Sequence, residues 1–489
     1  MPLRPYNQDQ IFLLPPSLNE WIREDHPARV FSEIIDRIDT TTFRQEKEEG
    51  RPAYDPKMMI KALLWGYATG IRSSRKIEER LEQDIAFMWL GGLEKPDFRT
   101  LCLFRTNNKE ALEKIFTDVI VMAQSMGLAT LGLVAIDGSK VRANSGIDTF
   151  KKVEDWEHTL RGARKEAQRI MTEAEAADKE EDKAYGEVSR GDELPKGIEK
   201  IRDRIEKIEA LMKKARELGK EGKARVSLTD AEASFMHRGN TSIPAYNAQI
   251  AVTDDQLIVY ADVTAEPVDV NQTKEVVEGI RENINRTPGI LLADTGYSGG
   301  ANLRYLEDNC IDAYIPESGE RHIGDKRSAM AHLFGKEDFI YHENVDKYTC
   351  TQGEVLTPVA KSQSKGKYSL RIGTIYRTKR GVCAECARKY DCTTNPTKGR
   401  SVTRDGYEPY RERMRAKIIT PEGKSLYGKR KCLVEPVFGQ IKTRGGFNQF
   451  LLRGLQKVKL EWKIAAIAHN LLKMTAAIMR KERYLPALG

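Results

Sequence analysis

Two short apolar runs end in aspartate. Leu131–Asp137 reads LGLVAID, and Gly289–Asp294 reads GILLAD. A carboxylate at the end of a buried run gives up its water, which costs free energy unless a cation or a donor meets it. Glu435 is a third acid, at the opening of a helical stretch, Val434–Lys442. Lys442 follows seven residues later, so the two share one face after two turns. Hard oxygen ligands with open positions suit Mg2+ or Mn2+. Two such ions, roughly 3.5–4 Å apart, can activate a nucleophile and stabilise a leaving oxygen in phosphoryl transfer. The plainer alternative is that each Asp caps a turn and Glu435 complements the positive end of its helix. Residue types alone leave both open.

The cysteines offer a second chemistry. Cys383 and Cys386 are two residues apart, Cys392 follows, and Cys350 precedes them. Four thiolates suit a tetrahedral structural Zn2+. The other reading is a set of reduced cysteines packed in a β-rich segment. Cys102, Cys310 and Cys432 read as packing residues.

The elements that must position these groups are legible from periodicity. Residues 1–127 read as helical. Met58–Ala68 is a rich apolar helix, and Pro96-Asp97 introduces a short one, Phe98–Arg105. Asn107 and Glu110 have the form of a capping box for the next. Helices joined by tight turns permit a helix-turn-helix arrangement, with Arg99, Thr100 and Arg105 on the exposed side of its second helix. A small bundle with no DNA role fits the same pattern. Leu131–Asp137 is a buried strand, with Gly138-Ser139 after it and Lys140–Ala143 either extending it or returning as a hairpin. Residues 151–225 hold 20 basic and 19 acidic residues, a charged helical hairpin broken near Gly191–Pro195. Tyr246–Val252 and Leu257–Val263 flank a turn and form a hairpin. A helix, the strand ending at Asp294, another helix and the strand Ile311–Ile315 follow. Residues 317–420 read as a β-rich insertion, and Lys457–Arg480 as a long amphipathic helix.

Composition narrows the class. The chain has 489 residues, 40% hydrophobic and 31% charged, enough apolar content for a real core. No run is long and apolar enough for a spanning helix. The N-terminal residues lack a signal-like apolar stretch, and seven cysteines are too few for a disulfide scaffold, so a cytoplasmic protein is expected. The net charge of +8 is unevenly placed: residues 395–489 carry +14 and the rest −6. Such a block suits a polyanionic partner, or a solvated basic surface.

Several short pieces fall in a telling order. They are Val134-Ala135-Ile136-Asp137-Gly138-Ser139, Tyr246-Asn247-Ala248-Gln249, Leu292-Ala293-Asp294-Thr295-Gly296-Tyr297, and Val434-Glu435-Pro436-Val437-Phe438-Gly439-Gln440-Ile441-Lys442. With Pro96-Asp97-Phe98-Arg99-Thr100 near the start, the chain resembles a bacterial insertion-sequence transposase of the DDE class. The resemblance implies an α/β fold: a ribonuclease-H-like mixed sheet flanked by helices, with an N-terminal all-helical domain, an inserted charged helical hairpin and a β-rich, cysteine-containing insertion. The corresponding divisions are 1–127 for DNA binding, 128–150 with 226–316 and 421–489 for catalysis, and 151–225 and 317–420 for the insertions. It implies that Asp137, Asp294 and Glu435 are the catalytic, metal-binding triad. It also implies that Tyr427, Arg430, Glu435 and Lys442 match a Tyr-Arg-Glu-Lys signature, although Arg430 to Glu435 is one residue longer than in related families. The implied partner is double-stranded DNA, at element ends and target, held by a homodimer associated with the nucleoid. No membrane is involved.

Overall fold

The computed structural model of the chain describes residues 17–43, 52–185, 198–239, 241–317, 333–365, 370–481 and 484–485. It is a mixed α/β structure in two compact units, one of residues 1–289 with 430–489 and the other of residues 290–429.

In the first unit, seven helices lie between Leu18 and Ser125 among the described residues. Local chemistry starts several of them. Asp55 accepts the backbone N–H groups of Lys57 and Met58, with Pro56 at the first helical position. Asp97 accepts the N–H of Thr100 at 2.6 Å and opens Phe98–Asn107. The expected capping box at Asn107 is not formed: the helix runs on to Asn107, and Asn108 caps Lys109–Ser125 without a side-chain bond. Arg105, expected on the exposed face, is buried, and its guanidinium donates to the Tyr67 hydroxyl.

The strand Leu133–Arg142 is continuous, so Asp137 stands in mid-strand and not at its end. The Gly138-Ser139 pair is carried through because Thr241–Thr253 pairs antiparallel along the whole run, Asp137 opposite Ile250 and Ser139 opposite Ala248. Thr241–Thr253 also pairs with Ser234–Arg238 and, through a hairpin whose turn sets Gln256 at φ 61°, with Ile258–Thr264.

The C-terminal helix Leu455–Met479 fastens this sheet to the N-terminal helices. Trp462 Nε1 donates to the Gln249 carbonyl at 3.0 Å, and Asn470 bonds both the N–H and the C=O of Ile258. Glu461, fully buried, accepts from Arg72 and from the amides of Leu451 and Leu452. Burial pushes the Glu461 carboxyl above its ordinary range, and the Leu452 amide, the Arg72 charge and the Leu451 amide oppose that shift.

The charged hairpin is two helices, Val153–Tyr185 and Ile198–Glu217, packed on each other with Arg164 and Glu209 paired at 2.6 Å. Its small core centres on Trp156, Ile208 and Leu211. The expected break at Gly191–Pro195 lies outside the described residues.

The second unit contains the parallel strands Ile290–Leu292 and Asp312–Tyr314, joined through helix Gly300–Asp308. A five-stranded antiparallel sheet follows: Ile340–His342, Lys347–Thr349, Val355–Lys365, Leu370–Arg377 and Ser401–Asp405. These five strands fall between Ile340 and Asp405. No described helix is long and apolar enough to cross a membrane.

Candidate active site

One face of the central strand meets one helix. Asp137 and Ser139 are two residues apart, so their side chains leave the strand on the same side. The helix is Pro421–Thr443, which starts well before the Val434 expected from sequence, and whose residues from Arg430 onward belong to the first unit. Pro436 therefore sits inside the helix and not in its first turn. It has no N–H for the carbonyl of Cys432, and Gln256 Nε2 supplies that donor instead at 3.1 Å.

Arg430 Nη1 lies 3.2 Å from Asp137 Oδ2, with both side chains largely buried. Asp137 Oδ1 accepts the Gly138 N–H at 2.9 Å. Twelve residues beyond Arg430, Lys442 Nζ donates to Ser139 Oγ at 2.5 Å. Burial pushes the Lys442 ammonium below its ordinary range, the Arg238 charge adds to this, and Asp137 opposes it. Glu435 lies on the stripe of the helix that carries Lys442 and is exposed. Tyr427, three residues before Arg430 on the helix, is half-buried and falls in the second unit.

The opposite face of the strand is a polar lock that sequence reasoning missed. Asn247 Nδ2 and Gln249 Nε2, both on buried side chains, each donate to Asp269 Oδ1 at 2.7 Å. Gly138 makes room for it. A Cβ there would come within 2.3 Å of Gln249 Nε2 and 2.5 Å of Asp269 Oδ1. The Tyr246-Asn247-Ala248-Gln249 motif was visible in the sequence, but nothing in it pointed to Asp269, 20 residues beyond Gln249.

Asp294 is in the second unit, just past Ile290–Leu292. Its Oδ1 accepts the Gly296 N–H at 2.8 Å and caps the turn Thr295–Tyr297. Arg99 is exposed and Thr100 half-buried on Phe98–Asn107; the burial of Arg105 takes it off that surface. Cys350, Cys383, Cys386 and Cys392 line one cavity in the second unit. Cys310 and Cys432, expected to be packed, are exposed. Among the described residues, no three His, Cys, Asp or Glu side chains stand together at metal-ligand spacing.

Two family models match the chain. One, described as a transposase DDE domain, matches residues 349–475; the other, described as a transposase domain (DUF772), matches residues 16–107. The first spans Glu435, Lys442 and the four cavity cysteines but begins after Asp137 and Asp294; the second spans Arg99 and Thr100. No curated protein matches the chain.

Proposed function

We propose that this chain, marked by its two matches as an insertion-sequence transposase of the DDE class, binds the terminal inverted repeats of its element, cuts the DNA there and joins the freed ends to a target. The observation that carries the reading is the meeting of Asp137 and Ser139 with Arg430 and Lys442, on the helix that also bears Glu435.

The donor set fits Mg2+ or Mn2+, because Asp137, Asp294 and Glu435 offer only hard carboxylate oxygens. These three are the proposed metal-holding residues. Ions bound there would activate the attacking hydroxyl and stabilise the leaving oxygen. The remaining work falls to the chain's own side chains. Lys442, steadied by Ser139, offers its ammonium to a backbone phosphate. Arg430, which pairs with Asp137, and Tyr427 are further proposed DNA contacts. Arg99 and Thr100 are the proposed contacts to the element ends, phosphate contacts fixing register and base contacts specificity. No protein nucleophile is needed: water attacks first, and the freed 3′-OH attacks the target in a second in-line displacement. Handling two ends calls for two copies of the chain, a homodimer on DNA working at the nucleoid in the cytoplasm.

The test is a strand-transfer assay with purified protein, labelled end DNA, a target plasmid and Mg2+ or Mn2+. Cleaved and joined products are expected. Cleavage without joining would make the protein a nuclease, and end binding without cleavage would make it an inactive DNA-binding relative.

A further inference from the structure

Cys350, Cys383, Cys386 and Cys392 lie in the second unit, and the proposed strand-transfer chemistry assigns them no role. Cys350 follows the strand Lys347–Thr349 and heads a tight turn. Its N–H donates to the Glu354 carbonyl at 2.8 Å, and its own carbonyl accepts from Gly353, whose φ is 85°. Within that turn the Gln352 N–H points at Cys350 Sγ at 3.4 Å. Cys383 and Cys386 come from the single-turn segment Val382–Glu385 and its cap, and Cys392 closes the next one, Lys389–Cys392. Thr378 Oγ1 is 3.2 Å from Cys383 Sγ. All four cysteines are partly buried, and none is in a disulfide.

Their cavity measures about 30 Å3. That is room for a body the size of one or two waters, far below the few hundred Å3 of a small-molecule pocket. The surroundings also call for a clamp. The connection from Arg377 to Ser401 has only two four-residue helical turns, long for a link inside a compact unit. The core beneath it is five residues, Phe339, Tyr348, Leu356, Tyr376 and Val402, with Cys350 and Cys392 packed against its edge. A core that small needs a staple.

We propose that this cavity takes one Zn2+ on the thiolates of Cys350, Cys383, Cys386 and Cys392, a closed structural site distinct from any metal held by the carboxylates. The four sulfurs do not stand at ligand spacing, so binding closes them onto the cavity by rotation of their side chains. The thiols release their protons as the metal enters. With four protein ligands there is no open position for water, so the ion tethers the 378–400 connection to the turn at Cys350 and does no catalysis.

The experiment uses the full chain. Protein purified without chelator is dialysed and its metal content measured, with about one zinc per chain expected. Co2+ added to protein stripped of metal should give a thiolate-to-cobalt charge-transfer band and the visible bands of a tetrahedral site. A mercurial that blocks thiols should release the zinc. Cys383→Ser and Cys392→Ser should each bring zinc to near zero, while Cys310→Ser and Cys432→Ser keep it. Wild-type protein that holds no zinc and gives no tetrahedral cobalt spectrum overturns the proposal, as does iron in its place, or full zinc retention by Cys383→Ser. The wild-type readings decide even if a cysteine variant fails to fold. Zinc in Asp137→Asn protein at the wild-type level separates this site from the carboxylates.

Discussion

The Arg430 guanidinium stands 3.2 Å from the Asp137 carboxylate, joining the helix Pro421–Thr443 to the central strand Leu133–Arg142. With about a tenth of the Arg430 side chain and a fifth of the Asp137 side chain exposed, the pair is shielded from water, and removing one partner leaves the other charge poorly solvated. Arg430→Gln in chelator should therefore lower unfolding stability by about 1–3 kcal/mol. In the double variant with Asp137→Asn, part of that loss should disappear, because no charge is left stranded. A double-mutant cycle by urea unfolding should give a coupling of about 0.5–3 kcal/mol. Simple additivity would mean that the contact contributes nothing to the fold.

Asp294→Asn should abolish strand cleavage and joining yet leave end binding largely intact. The amide keeps the shape of the carboxylate, and the cap to Gly296 survives through its oxygen, but the charge that would hold a divalent ion is gone. Lys442→Ala should behave differently, weakening DNA binding and reducing the salt dependence by about one unit of slope. Gel-shift and cleavage assays across a salt series distinguish the two. Cleavage by Asp294→Asn at the wild-type rate would remove Asp294 from the metal set. Loss of end binding would make it a structural cap.

Much of this arrangement was readable from sequence because it follows local rules. The apolar runs before Asp137 and Asp294, the hairpin around Thr253–Gln256 and the Asp97 cap all declare themselves within a few residues. What was missed depends on partners distant in the chain. Gly138-Ser139 looks like a turn until the pairing with Thr241–Thr253 carries the strand through it. The burial of Arg105 depends on Tyr67, 38 residues earlier. Periodicity alone starts the helix around Glu435 at Val434, because Gly423, Gly428 and Pro436 weaken its local signal. The freed Cys432 carbonyl is satisfied by Gln256, 176 residues away. No periodicity reports such a bond.

Gly138→Ala tests the polar lock behind Asp137. The added Cβ would meet Gln249 Nε2, Asp269 Oδ1 and Asn247 Oδ1 at 2.3, 2.5 and 2.8 Å, all closer than contact allows. The strand or the amides must move, at a cost of about 1–3 kcal/mol. Asp269→Asn should give a smaller loss, since the site keeps its volume but exchanges a charged acceptor for a neutral one. Thermal melts of the two variants check the order. A Gly138→Ala protein as stable as wild type would show that the strand yields there without strain.

His469 should make stability depend on pH. Burial holds its imidazole down to about 4, from an ordinary 6.5, with Lys473 and Arg444 adding to the depression and the hydrogen bond to the Gln256 carbonyl opposing it. The folded chain therefore keeps this ring neutral where the unfolded chain protonates it. Its contribution is fully present above about 6.5 and is lost as pH falls toward 4, because the unfolded state then binds more protons. The greatest slope from one such group is about 1.4 kcal/mol per pH unit. His469→Gln keeps a donor for the Gln256 carbonyl but cannot titrate, so its stability should fall less steeply over that window. Urea unfolding of both proteins at several pH values between 7.5 and 4.5 measures the difference. Parallel curves would mean that the ring takes up its proton in the folded chain as readily as in the unfolded one, and that burial beside Lys473 and Arg444 does not hold it neutral.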